Sequence, residues 1–176
     1  MVLVYVSAIL SLLLTLLAGI PYIDFLKKNL YGQYIREEAP TSHASKAGTP
    51  TTGGLIIIIP AIIGSILALV MDQKTGIDVF IVLLTFCLFT FLGFKDDIDK
   101  ITKKQNKGLG ARVKLLLQIF IAAIPAFYIY FKGETFISIF DITSINLGLM
   151  YPIFAILTIV GASNAVNLTD GLDGLA

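Results

Sequence analysis

The sequence has little of three things on which many folds and sites depend: cysteine, histidine and charge. Its single cysteine, Cys87, excludes an internal disulfide and gives no indication of redox chemistry. Its single histidine, His43, lacks the second histidine that a zinc site commonly uses, and we expect it to make a loop hydrogen bond. Charged residues make up only 14% of the chain against 56% hydrophobic residues. That is too little polar surface for a soluble globule, so the composition predicts a membrane protein.

The apolar residues lie in five blocks, each close to the roughly 20 residues that an α-helix needs to cross about 30 Å of hydrocarbon. We predict an all-α polytopic membrane domain with spans at about residues 2–20, 55–71, 77–94, 115–131 and 146–162. Residues 134–149 alternate irregularly, as a short extracytoplasmic β-hairpin would. A cleaved signal peptide is the alternative for the first block, but the usual basic n-region is missing.

Five spans place the connecting segments alternately on the two sides of the membrane. Residues 21–54, 95–114 and 163–176 then share one side, and they hold eleven of the thirteen lysine and arginine residues. Cytoplasmic segments carry this excess of positive charge, so we predict that these loops are cytoplasmic and that the N-terminus lies outside.

Carboxylates gather at the cytoplasmic boundary. Asp96, Asp97 and Asp99 follow the third span, and Asp170 and Asp173 follow the fifth. Such hard oxygen ligands suit Mg²⁺, especially when a substrate adds phosphates, and crowded carboxylates also provide candidates for a general base. Solvated charges at a helix end and ordinary Asp-Gly turns are the alternatives. The spacing excludes an EF-hand loop.

Two further segments could bind anions. Residues 48–54 offer hydroxyl groups and free amides before the second span, although they do not form a Walker A loop. A run of cations follows the acidic cluster. It either reflects only the cytoplasmic location of this segment or binds the phosphate of a lipid or nucleotide. Its members are Lys100, Lys103, Lys104, Lys107, Arg112 and Lys114.

Several of these motifs together resemble one family, the polyprenyl-phosphate N-acetylhexosamine-1-phosphate transferases. Residues 93–97 are similar to its double-aspartate motif, and residues 164–176 are similar to its nucleotide-binding loop nearly throughout. Residues 36–51 and 106–115 resemble the branch that transfers phospho-N-acetylmuramoyl-pentapeptide in bacterial cell-wall synthesis. Thr52 and the pair Ile98-Asp99 depart from the usual pattern in ways that the fold should tolerate.

The resemblance implies transfer from UDP-N-acetylmuramoyl-pentapeptide to undecaprenyl phosphate at the cytoplasmic face of the bacterial plasma membrane, with Mg²⁺ as cofactor. It implies that Asp96 and Asp97 are catalytic and that Asp97 holds the metal. It also implies a set of substrate-binding residues, namely Lys46, Thr51, Lys100, Lys104, Asn164, Asn167, Asp170, Gly171 and Asp173. The lipid bilayer is an expected partner and nucleic acid is not. The oligomeric state, with a homodimer as one candidate, stays open.

The resemblance covers essentially all of this chain but about half of the family's fold, so we expect the 176 residues alone to lack full activity. Two alternatives remain. One is a sister transferase that uses UDP-N-acetylglucosamine. The other is a small membrane carrier whose aspartates bind a transported cation, although such a carrier is expected to have ionisable residues inside its spans, whereas these carboxylates cluster at the boundary.

Overall fold

The computed structural model describes residues 2–29, 52–71, 76–103, 108–139 and 143–169. Within them lie the helices α1 (Val2–Lys28), α2 (Leu55–Met71), α3 (Ile77–Lys103), α4 (Ala111–Lys132) and α5 (Tyr151–Thr169). Three of them, and the segment Gly148–Thr169 that contains α5, are long and apolar enough to cross a membrane, whereas α2 is a shorter apolar helix. The predicted all-α polytopic class is confirmed.

The chain divides into two compact units, and the first, Met1–Gly110, contains α1, α2 and α3. Helices α1 and α2 pack where small residues let their backbones approach. The hydroxyl of Ser11 lies 2.8 Å from the carbonyl oxygen of Ser7 and 3.0 Å from that of Pro60 on α2. A Cβ atom on Gly64 would lie 2.2 Å from the same hydroxyl. Membrane helices commonly pack through such small residues, because the lipid supplies no hydrophobic drive for their association.

The second unit, Ala111–Ala176, contains the packed helices α4 and α5 and a β-hairpin between them. Strands β1 (Phe136–Ile139) and β2 (Thr143–Asn146) are antiparallel, with Phe136 paired to Asn146. The side-chain oxygen of Asn146 accepts hydrogen bonds from the Thr135 hydroxyl at 2.7 Å and from the Gly148 amide at 2.9 Å. The predicted hairpin is therefore present, and Asn146 ties its base to the start of the 3-10 turn that leads into α5.

Helix ends differ from the predicted span ends in several places. Helix α1 runs to Lys28 rather than residue 20, and α3 runs to Lys103 rather than residue 94. Helix α5 covers Tyr151–Thr169 rather than 146–162, because Asn146 belongs to a strand. Hydropathy marks the part of a helix that suits hydrocarbon, whereas hydrogen bonding and local charge determine where the helix stops.

Candidate active site

The acidic cluster lies on the polar end of α3. Residues 95–103 continue this helix past its apolar part, and six of these nine residues are charged. Asp99 pairs with Lys95 and with Lys103, whose Nζ lies 3.3 Å from Asp99 Oδ2. Opposite charges four residues apart stabilise a helix. The aspartates therefore lie on a helix, not in the loop that the sequence predicted over residues 95–114.

Asp96 is a buried carboxylate, only 5% exposed. Its Oδ1 accepts a hydrogen bond from the backbone amide of Leu109 at 2.9 Å. Its Oδ2 lies 2.8 Å from Lys100 Nζ. A buried charge is costly unless it is paired and hydrogen-bonded. Because each oxygen has such a partner, the carboxylate is held in one orientation.

Asp97 is more open, and Lys100 connects it to Asp96. The Asp97 side chain is 30% exposed, and its Oδ1 lies 3.2 Å from Lys100 Nζ. Lys100 thus bridges two adjacent carboxylates, which reduces their mutual repulsion. An ammonium group has three N–H donors, so the two carboxylates leave one donor with which Lys100 can meet an anion. The cluster therefore combines a fixed carboxylate, an open carboxylate and a shared cation.

The second unit pairs two predicted nucleotide-site amides on α5 with side chains of α4. Asn164 donates to Gln118 Oε1 at 2.8 Å, and Gln118 Nε2 lies 3.4 Å from Asn164 Oδ1. Lys114 Nζ lies 3.4 Å from Asn167 Oδ1. Positions 114 and 118 are one turn apart on α4, as are 164 and 167 on α5. The two helices therefore make two successive polar contacts. Asn164 and Asn167 lie on a helix rather than in the predicted loop over 163–176.

The described residues include part of the predicted site. In the first unit, the structure brings Asp96, Asp97 and Lys100 together. In the second unit, Asn164 and Asn167 share one face of α5 toward α4. The remaining predicted residues lie outside the described ranges, and they are Lys46, Thr51, Lys104, Asp170, Gly171 and Asp173.

Comparisons with known proteins identify the family. The sequence model of the family described as "Glycosyl transferase family 4" matches residues 79–176, which is more than half of the chain. The chain belongs to glycosyl transferase family 4. It is 41% identical to a protein of Desulfotalea psychrophila and 43% identical to one of Oceanobacillus iheyensis, in each case over 97% of this chain. Both relatives are named phospho-N-acetylmuramoyl-pentapeptide-transferase.

A third relative with this name, from Clostridium acetobutylicum, is 41% identical over 97% of the chain. The aligned part is 48% of the Desulfotalea protein and 53% of each of the other two. The chain therefore spans about half the length of the curated relatives it matches. The four apolar segments that are long enough to cross a membrane, together with the names of the relatives, support a multi-pass membrane protein.

Asp97 is the carboxylate of the α3 cluster in this family 4 chain that best suits a metal ion. Among the described residues, no three His, Cys, Asp or Glu side chains are grouped closely enough to hold a metal ion. Mg²⁺, however, usually takes one or two protein carboxylates and completes its shell with water and substrate phosphates. The partly exposed Asp97 suits that role, whereas both oxygens of Asp96 already have partners.

Two features of the site in this family 4 chain were not predicted from the sequence. Gln118 is 2% exposed and pairs with a predicted site residue. As the only amide between residues 115 and 131 it carried a signal, since a lone amide in an apolar span commonly bonds to a neighbouring helix. The contact between Leu109 and Asp96 had no such signal, because it joins a backbone amide to a side chain 13 residues away.

Proposed function

We propose that the protein carrying this chain transfers phospho-N-acetylmuramoyl-pentapeptide from UDP-N-acetylmuramoyl-pentapeptide to undecaprenyl phosphate. The products are the first lipid-linked peptidoglycan precursor and UMP. The observation that carries the proposal is the Lys100-bridged pair Asp96 and Asp97 at the polar end of a long apolar helix, in a chain at least 41% identical to three transferases of that name. At such a position a nucleotide from the aqueous phase can meet the phosphate of a membrane lipid.

The proposed reaction exchanges one phosphate linkage for another. An oxygen of the lipid phosphate ends up bonded to the sugar-linked phosphorus of the donor. The bond from that phosphorus to the oxygen bridging the two donor phosphates breaks, and UMP leaves with the bonding electron pair. All participants are anions, so the site must reduce charge repulsion and hold the phosphates in line.

The residues of the cluster suit different parts of that task. Asp96, whose carboxylate is fixed by Leu109 and Lys100, would orient or deprotonate the lipid phosphate. Lys100 would use its remaining donor on that phosphate, because its other two donors serve Asp96 and Asp97. Asp97 would hold Mg²⁺, which when bound supplies positive charge to the phosphate oxygens. The fixed carboxylate and the open one thus take different roles.

The nucleotide and pyrophosphate would be bound by residues from several segments. Asn164 and Asn167 lie in the last turns of α5. The amide nitrogen of Asn167 can donate hydrogen bonds to phosphate or uracil oxygens. Both amide hydrogens of Asn164 go to Gln118 and to the Val160 carbonyl oxygen, so Asn164 would shape this side of the site through the α4 contact. The other residues that we assign to this task are Lys46, Thr51, Lys104, Asp170, Gly171 and Asp173. The excess of lysine and arginine in the segments around them supports a cytoplasmic site in the bacterial inner membrane, with the N-terminus outside.

A transfer assay with the full-length protein that carries this chain tests the proposal. Radiolabelled UDP-N-acetylmuramoyl-pentapeptide and UDP-N-acetylglucosamine are each supplied with undecaprenyl phosphate in detergent and Mg²⁺. We expect labelled lipid and UMP from the muramoyl substrate only. Labelled lipid from UDP-N-acetylglucosamine alone would instead assign the protein to the sister activity, and turnover by neither donor would overturn the proposal.

The variant Asp97→Asn separates the metal role from a role in folding. It replaces a carboxylate by an amide of the same shape, so it should leave membrane insertion intact and lower turnover by about 10²- to 10³-fold, the loss typical when one group that stabilises transition-state charge is removed. Asp99→Asn is the matched control on the same helix, since within the described part of the chain Asp99 pairs with its helical neighbours Lys95 and Lys103. Wild-type turnover by Asp97→Asn would exclude the metal role.

A further inference from the structure

Residues 108 and 109 lie against α3 at Asp96. Leu109 is 13 residues further along, yet its backbone amide lies 2.9 Å from Asp96 Oδ1. This contact lies within the first compact unit, Met1–Gly110. A backbone amide is a precise ligand for a carboxylate, because it is part of a planar peptide group and has no rotamers of its own. The position of the backbone at residues 108 and 109 therefore determines how one oxygen of Asp96 is held.

Gly108 makes this approach possible because it has no side chain. A Cβ atom at this position would lie 2.4 Å from Asp96 Oδ1, 2.8 Å from its Cγ and 2.6 Å from the Asp96 backbone oxygen. Cβ atoms in proteins essentially never lie within 3.0 Å of such a neighbour, and ordinary van der Waals contact is 3.4–4 Å. The backbone oxygen belongs to a helix and cannot rotate away. An added methyl group would therefore displace the chain at residue 108, and the Leu109 amide with it.

We propose that Gly108 is a positioning residue for the reaction, because its close approach lets the Leu109 amide fix the carboxylate of Asp96. Lys100 secures Oδ2 from within α3, and the backbone after Gly108 secures Oδ1 from outside the helix. Because one partner comes from α3 and the other from outside this helix, the Asp96 carboxylate is held in one orientation. A group that orients or deprotonates a lipid phosphate requires such a fixed orientation. This inference rests on the proposed function, in which Asp96 has that task.

Alanine variants at nearby glycines distinguish a steric clash with Asp96 from a general loss of backbone flexibility. A Cβ on Gly110, two residues later, would have no atom within 4 Å, and the same holds for Gly93 on α3. Gly110 has no part in the proposed catalytic or binding machinery. Gly108→Ala and Gly110→Ala thus make the same chemical change in the same segment, and only the first should move Asp96.

The test compares these two variants in the full-length protein. We expect Gly108→Ala to lower kcat by about 10- to 100-fold, the loss typical of a displacement of about 1 Å at a reacting group, while the KM for the nucleotide donor changes less than about threefold. Gly110→Ala should keep kcat within about twofold of wild type. A merely structural role for Gly108 would instead lower the amount of folded enzyme and leave the kcat of the folded fraction unchanged.

Hydrogen exchange of the Leu109 amide gives a second readout that does not depend on recovering Gly108→Ala. Loss of its acceptor in Asp96→Ala should speed exchange in peptides that cover residues 108–110, whereas Asp97→Ala should leave it unchanged. Equal exchange in both variants, or wild-type kcat in Gly108→Ala, would overturn the inference. If Asp96→Ala retains full turnover, the proposed task of Asp96 fails instead. Abolished turnover in Asp96→Ala with normal Gly108→Ala enzyme would refute the positioning role alone.

Discussion

Removing the buried amide of Gln118 should loosen the contact between α4 and α5 by an amount that the structure allows to be estimated. Gln118 is 2% exposed and makes one good hydrogen bond to Asn164, at 2.8 Å, and one long one, at 3.4 Å. Interhelical side-chain hydrogen bonds in membrane proteins average about 0.6 kcal/mol and reach about 1.7. A pair with one short bond and one nearly fully buried member, Gln118, belongs in the upper half of that range. We therefore expect a coupling of about 1–1.5 kcal/mol, which is about 5- to 13-fold in the unfolding equilibrium.

A double-mutant cycle isolates the coupling energy between Gln118 and Asn164. The variants Gln118→Leu, Asn164→Leu and their combination are unfolded by SDS in mixed micelles and followed by far-UV circular dichroism. Asn164 also donates to the carbonyl oxygen of Val160 at 2.9 Å. That bond is lost in both the single Asn164 variant and the double variant, so it cancels in the cycle. Each single variant should be destabilised, and the double variant should be destabilised by less than their sum. A coupling below about 0.3 kcal/mol, the usual error of additivity, would refute the pairing.

Two glycines should be sensitive to substitution for different reasons. Gly64→Ala should destabilise the contact between α1 and α2 by about 1–3 kcal/mol, because the new Cβ would lie 2.9 Å from a carbonyl oxygen of α1 and overpack the contact. Gly133→Ala should cost about 1–2 kcal/mol, since this residue ends α4 with a φ of 77°, which a side chain disfavours. Both are measured by the same SDS titration against Gly93→Ala, whose Cβ would meet open space. An equal or smaller loss than in that control would contradict the respective argument.

The sequence predicted where the helices lie better than it predicted where they end. Hydropathy located all five apolar helices, because a stretch that must exclude water is visible in composition alone. It placed the end of the third span at residue 94, although α3 continues to Lys103 through ion pairs such as that between Lys100 and Asp96. A polar helical extension and a polar loop have the same hydropathy, so only the spacing of opposite charges distinguished them.

The candidate site was predictable where a residue type itself indicates chemistry. The pair Asp96-Asp97 stood out as a cluster of carboxylates, and the family resemblance selected Lys100 from the run of cations behind it; the structure brings these three side chains together. What the sequence could not indicate is that Asp96 is buried and Asp97 partly open, because that difference comes from the return of the chain at Gly108. Contacts of this kind depend on the path of the backbone rather than on local pattern.

The hairpin between α4 and α5 has a consequence for how these two helices move. At one end they are joined by β1 and β2, whose base is tied by Asn146 to Thr135 and Gly148. Toward the other end, side chains provide the contacts, first Gln118 with Asn164 and then Lys114 with Asn167. Two helices that are joined at one end separate most at the other end. Breathing of this pair on the microsecond timescale of collective helix motions would therefore be largest at Asn167, where the proposed nucleotide site begins.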